Sequence, residues 1–150
     1  MVFLQAVARE TGPAFACLQL AEGKVVELLV CPSIIAEVRN VLSRTEIRSK
    51  FELTAERVSR FLAKVDSCAV SAPAPPGSFS LPRDPKDEPY LNLAIAGGAR
   101  YLVSWNERHL NYLMKGDTPE GRDFCARYPG IAIVTPVEFL EALRASSSPG

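Results

Sequence analysis

The stretch RDPKDEPYLNLA, residues 83–94, places Asp84, Asp87 and Glu88 within five residues and runs directly into an apolar segment. Carboxylates held this close repel one another unless a cation or a proton intervenes. Two kinds of chemistry fit the pattern. In the first, Pro89 marks the first turn of a helix, Asp87 is its N-cap and Glu88 sits where the helix dipole favours an anion. In the second, the acids contribute to an oxygen-only ligand set, which suits a hard cation such as Mg²⁺ or Mn²⁺. Capping accounts for Asp87 and leaves Asp84 and Glu88 without a reason.

Two further positions carry the same ambiguity. Glu37 lies inside CPSIIAEVRNVLSR and borders the apolar arc of Ile34, Ile35, Val38, Val41 and Leu42; it reads either as a boundary charge paired with Arg44 or as a ligand. Asn106 follows the apolar run YLVS and is a good N-cap for the residues after it, or a neutral oxygen ligand. His109, the single histidine, reads more simply as a packed or surface residue than as a general base, and Trp105 as core. None of these signals is specific alone. Their joint placement near strand ends and helix starts is what favours a cation site.

Bulk properties narrow the setting. A chain of 150 residues, 47% apolar and 23% charged, can bury a real core, and one domain is the simplest organisation. Seventeen basic and 17 acidic residues cancel, so any nucleic-acid contact needs a local basic patch. Arg83, Lys86, Arg100, Arg108 and Lys115 are the candidates for phosphate contacts. Cys17, Cys31, Cys68 and Cys125 lack paired metal-ligand spacing, which argues against zinc and for free thiols in a reducing cytoplasm. No apolar run reaches the length of a membrane span, and the start MVFLQAVARE lacks the features of a signal peptide.

The elements that must position these residues follow from periodicity. Helices are predicted over FLQAVARE and PAFACLQLAEG, with a buried strand at VVELLV, residues 25–30. Helices are also predicted over CPSIIAEVRNVLSR and over TAERVSRFLAKV, the latter with Thr54 as N-cap, and CAVSA is a short strand. APAPPGSFSLP is an extended loop. Then come a helix in EPYLNLAIAGGA closed by Gly97-Gly98, a strand in YLVS and a helix in NERHLNYLM. Residues 115–130 read as a polar loop, IAIVT as a strand, and PVEFLEALRA as a last helix before a frayed tail, SSSPG. Strands alternating with helices give an α/β fold with a mostly parallel sheet, in one domain over residues 1–145 with a tail at 146–150.

The order of these segments resembles the PIN domain, a small α/β nuclease fold used by many ribonuclease toxins of toxin–antitoxin systems. CPSIIAEVRNVLSR looks like the PIN segment that carries the second acid, at Glu37. DPKDEPYLNLAIAGGARYLVSWNERHL looks like the segment with the third acid, an alanine-rich helix and a strand ending in a polar turn. IVTPVEFLEAL is similar to the family's closing segment. The resemblance implies a three-layer α/β/α fold and a site built from Glu37, Asp87 or Glu88, and Asn106. It also implies bound Mg²⁺ or Mn²⁺ and hydrolysis of RNA phosphodiester bonds. As partners it implies a cognate antitoxin and a homodimer.

One departure counts against activity. PIN domains begin with a short central strand ending in Asp-Thr-Asn or Asp-Ser-Asn, whereas here Met1 stands where that motif would close. The strand and first acid are therefore expected upstream of Met1; otherwise the chain is truncated and needs a partner to supply the strand. Three functional readings stay open: a metal-dependent endoribonuclease, a catalytically inactive PIN-like module that binds RNA or protein, and an α/β enzyme with carboxylate caps and no metal.

Overall fold

A computed structural model describes residues 2–147. The protein is a mostly helical α/β chain with short parallel strands, consistent with the α/β/α class expected. Its backbone divides into two compact units, Val2–Pro73 and a second that starts at Ala74. Each holds one two-stranded parallel sheet, so the single sheet expected from the sequence is two separate pairs among the described residues.

The N-terminal unit contains α1 (Val2–Ala8), α2 (Pro13–Glu22), β1 (Leu28–Val30), α3 (Pro32–Ser43), α4 (Thr45–Lys50), α5 (Ala55–Cys68) and β2 (Ala69–Ser71). β1 pairs with β2 from Leu28↔Ala69 to Val30↔Ser71. The strand is half the predicted length because Val25 and Val26 spend their N–H groups on the Leu20 carbonyl, closing α2 instead of joining a ladder. Lys24, at φ 59°, supplies the left-handed residue this closure needs. Thr54 caps α5 as expected, accepting from the Arg57 N–H at 3.1 Å. Ile34, Val38, Val41 and Leu42 of α3 are buried, while Glu37 on the same helix is exposed.

The C-terminal unit begins with the proline-rich stretch, which is irregular as predicted. A 3₁₀ turn (Pro85–Asp87) leads into α6 (Glu88–Ala96), followed by β3 (Tyr101–Val103), a second 3₁₀ segment (Asn111–Lys115), α7 (Pro119–Arg127), β4 (Ala132–Val134) and α8 (Pro136–Ser147). β3 pairs with β4, and the Ser104 N–H extends the ladder to the Val134 carbonyl at 2.8 Å. α6 ends where expected, with Gly98 at φ +64°. Phe79, Leu81, Leu91, Leu110, Leu113, Phe124 and Ile133 form the core of this unit.

Two predicted elements differ. NERHLNYLM forms a turn and then the short 3₁₀ segment: the Asn106 carbonyl accepts from His109, Leu110 and Asn111 together and the Glu107 carbonyl from Tyr112, a mix of three-, four- and five-residue spacings instead of the regular four-residue ladder of an α-helix. Residues 115–130 are not a loop throughout, since they contain α7. Thr118 caps that helix through the Gly121 N–H at 3.0 Å, Pro119 opens it, and Phe124 is fully buried. Its polar composition hid a helix whose inner face needs little more than one phenylalanine and one glycine. A Cβ on Gly121 would lie 2.9 Å from Thr118 Oγ1 and 3.0 Å from the Leu113 carbonyl.

α6 also fixes the loop before it. Buried Asn92 accepts from the N–H groups of Ser78 and Phe79 at 3.1 and 2.8 Å and donates to the Phe79 carbonyl at 3.3 Å. Removing that amide strands two backbone donors. Asn92→Ala is expected to cost about 1–3 kcal/mol in chemical denaturation; a loss under a few tenths would show that the loop does not depend on this amide.

Candidate cation site

Asp84 and Asp87 are three residues apart across the 3₁₀ turn. Such a turn has three residues per revolution, so their side chains leave on the same side. The backbone enforces this through an Asp87 N–H to Asp84 carbonyl bond of 3.1 Å. Asp84 Oδ1 caps the turn by accepting from the Lys86 N–H at 3.1 Å. Its other oxygen is left for the site.

The third member comes from the turn after β3. Asn106 Nδ2 donates to Asp87 Oδ2 at 2.6 Å and lies 3.4 Å from Asp84 Oδ2. One amide thus sits between two carboxylates that would otherwise repel. Asn106 is itself held: its N–H donates to Ser104 Oγ at 2.9 Å, and Asn111 Nδ2 donates to the Ser104 carbonyl at 3.0 Å. His109 Nδ1 lies 3.5 Å from Asp84 Oδ2 with its ring half-exposed. The Trp105 indole N–H and Asn111 Oδ1 are buried without hydrogen-bond partners beside this turn.

The structure therefore sorts the predicted residues. Asp87 stands at the N-cap position of α6 as expected, but its side chain makes no cap and turns to Asn106 instead. Glu88 braces the fold through one of its oxygens. Its Oε1 accepts from the Leu81 N–H at 2.8 Å, tying α6 to the incoming loop. Asn106 meets Asp87, while Glu37 belongs to the N-terminal unit. Asp84 joins the cluster although sequence alone leaves it outside the ligand set. The signal for it is the three-residue spacing ahead of Asp87.

Two carboxylates and an amide offer only oxygen ligands once the amide turns its Oδ1 inward. Mg²⁺ is commonly held by one or two carboxylates with water filling the remaining positions, so this donor set fits it. Among the described residues no group of three or more His, Cys, Asp or Glu is placed to hold a metal, so any cation here relies on the amide and on water. Asn106→Asp replaces the intervening donor with a third negative charge. In chelator that variant is expected to lose about 2 kcal/mol of stability and to recover it on adding Mg²⁺ or Mn²⁺. Equal stability to wild type in chelator would contradict the bridging role of the amide.

Next to the carboxylates, Arg83 and Tyr112 make a second cluster. The Arg83 guanidinium carbon lies 3.9 Å from the centre of the Tyr112 ring, and the Tyr112 hydroxyl donates to Glu120 Oε1 at 2.9 Å. Burial, then the bond to Glu120 and its charge, push the Tyr112 hydroxyl up to about 12. Glu120 is held below its ordinary value by a backbone N–H of its own residue and then by that hydroxyl. A raised tyrosine favours the folded state fully below its ordinary pKa of 10.0, and the contribution is lost as pH rises towards about 12. In a tyrosinate absorbance titration one of the four tyrosines should ionise last, and Glu120→Gln should bring it down. A Tyr112 that ionises at the ordinary value in the folded protein would contradict the coupling.

No disulfide joins the four cysteines, and burial pushes the Cys17 thiol up to about 11. Among the described residues no helix is long and apolar enough to cross a membrane.

A family profile described as PIN domain matches residues 1–108 of the 150-residue chain. Its match includes Asp84, Asp87 and Asn106 and stops before Tyr112 and Glu120. PIN domains are in general nuclease-type proteins that act on RNA and use divalent metals. Neither a curated protein nor a solved structure matches the chain. The profile spans well over half of the sequence, and the chain belongs to the PIN domain family.

Proposed function

We propose that this protein is a metal-dependent endoribonuclease that hydrolyses RNA phosphodiester bonds as the toxin of a toxin–antitoxin pair. The observation that carries the reading is the convergence of Asp84 and Asp87 on the one amide of Asn106. Structural charges on a protein surface are usually spread apart or neutralised by cations. Here a neutral amide, which hydrogen-bonds to both carboxylates without cancelling their charge, stands where a divalent ion could replace it.

In this reading Asp87, Asp84 and Asn106 hold Mg²⁺ or Mn²⁺, and Glu37 is added to the ligand set on the family resemblance. Glu88 supports the site by fixing the loop before α6. A divalent ion so held supplies an activated water and stabilises charge on the phosphate. Asp84 and Asp87 keep the ion's charge balanced, and Asn106 sets the spacing between them. The protein works in the cytoplasm, is restrained by a cognate antitoxin and forms a homodimer.

The cleavage test uses single-stranded RNA with Mg²⁺ or Mn²⁺ present, and compares wild type with Asp87→Ala, Asn106→Ala and Glu37→Ala. Cleavage should fall to background in each while circular dichroism stays native. Cleavage that survives Asp87→Ala removes the metal-site claim. A second reading, an inactive PIN-like module that binds RNA or protein, is favoured by the neutral side chain at Asn106. A carboxylate binds Mg²⁺ much more strongly than an amide does. Calorimetric titration with Mn²⁺ separates the two, because an inactive module should show no specific binding.

A further inference from the structure

We propose that Arg83 is the phosphate-binding arginine beside the carboxylate pair, held ready by Tyr112 and Glu120. The inference rests on the RNA nuclease reading and adds to it a specific group for the substrate backbone.

Of the five candidate cations for phosphate contact, Arg83 is the one with a built holder. Its guanidinium lies over the Tyr112 ring at 3.9 Å, its Nη1 donates to the Arg108 carbonyl at 3.1 Å, and its Nε is 4.0 Å from Glu120 Oε1. Among the described residues the side chains of Lys86, Arg108 and Lys115 make no ion pair or ring contact. Arg100 sits 5.7 Å from the Tyr101 ring, too far to be fixed comparably. Tyr112 is buried, and its hydroxyl donates to Glu120 in turn.

These contacts restrain the guanidinium without using it up. Glu120 stands at 4.0 Å rather than in a paired embrace, and Nη2 has no acceptor among the described residues. The Arg83 side chain is 45% exposed, so its outward edge is open to solvent. A planar guanidinium matches a phosphate with paired N–H donors, and one already immobilised loses less entropy on binding.

Location adds the functional link. Asp84 is the next residue in the chain and reaches Asn106 and His109, while Arg83 reaches the Arg108 carbonyl and Tyr112. Two neighbouring residues therefore grip one turn, residues 106–112, with opposite charges. An RNA strand whose scissile phosphate lay at the carboxylates would present a flanking phosphate to the arginine.

The test measures binding of a single-stranded RNA oligonucleotide in chelator by fluorescence anisotropy at several salt concentrations, with Mn²⁺ calorimetry alongside. Arg83→Gln should weaken RNA binding about tenfold and lower the salt slope by about 0.7, the value of one phosphate on a single strand. Mn²⁺ binding should be unchanged. Arg83→Lys keeps the charge but not the planar stack, and should recover the slope with only part of the affinity. Normal binding and slope in Arg83→Gln would overturn the assignment while leaving the nuclease reading intact. Full recovery in Arg83→Lys would overturn the role of the Tyr112 stack. Wild type that binds neither RNA nor Mn²⁺ would sink the nuclease reading, and this inference with it.

Discussion

Repulsion between Asp84 and Asp87 is the constraint around which the C-terminal unit is arranged. A 3₁₀ turn forces the two carboxylates to one side, and a single amide from Asn106 keeps them there. Everything that holds Asn106 in place therefore bears on the pair. Ser104 accepts its N–H, Asn111 fixes the Ser104 carbonyl, and the Val134 carbonyl anchors Ser104 to the sheet. The strand pair β3–β4 thus carries the carboxylate site at its C-terminal end, where parallel sheets generally place their ligands.

The opposite side of the site is set by α6. Glu88 and Asn92 lie one helical turn apart and take up three backbone N–H groups of the incoming segment, at Leu81, Ser78 and Phe79. Glu88, a residue the family resemblance offers as a metal ligand, braces the incoming loop through Oε1. Polar side chains that hold loops and polar side chains that hold ions are alike in composition; only their partners separate them. Arg83 extends the same logic, since a buried tyrosine and its bonded glutamate restrain a cation that still faces solvent.

Much of this was legible in the sequence. The helices with clear apolar stripes or caps, such as α3 and α5, lie where their periodicity put them, and all strands pair parallel. The failures have physical causes. VVELLV lost half its strand because α2 needed two N–H groups to close. NERHLNYLM gathers three N–H groups on the Asn106 carbonyl and so never starts a regular α-helical ladder, and α7 buries so few side chains that its pattern looked polar. Asp87 and Asn106 were singled out from type and position, and the structure brings the two side chains into contact. Asp84 was passed over because its partnership depends on 3₁₀ rather than α geometry, and the holder of Arg83 was invisible because Tyr112 and Glu120 come nearly 30 residues later or more.

We propose that Asp84, Asp87 and Asn106 together hold a divalent cation. Paramagnetic broadening of backbone amide signals by low concentrations of Mn²⁺ tests it most directly, because the effect reports distance from the ion. Broadening is expected first at residues 84–88 and at 106–109, and is expected to be lost from both segments in Asp87→Ala. Broadening that starts elsewhere, or that is unchanged by that substitution, would contradict it.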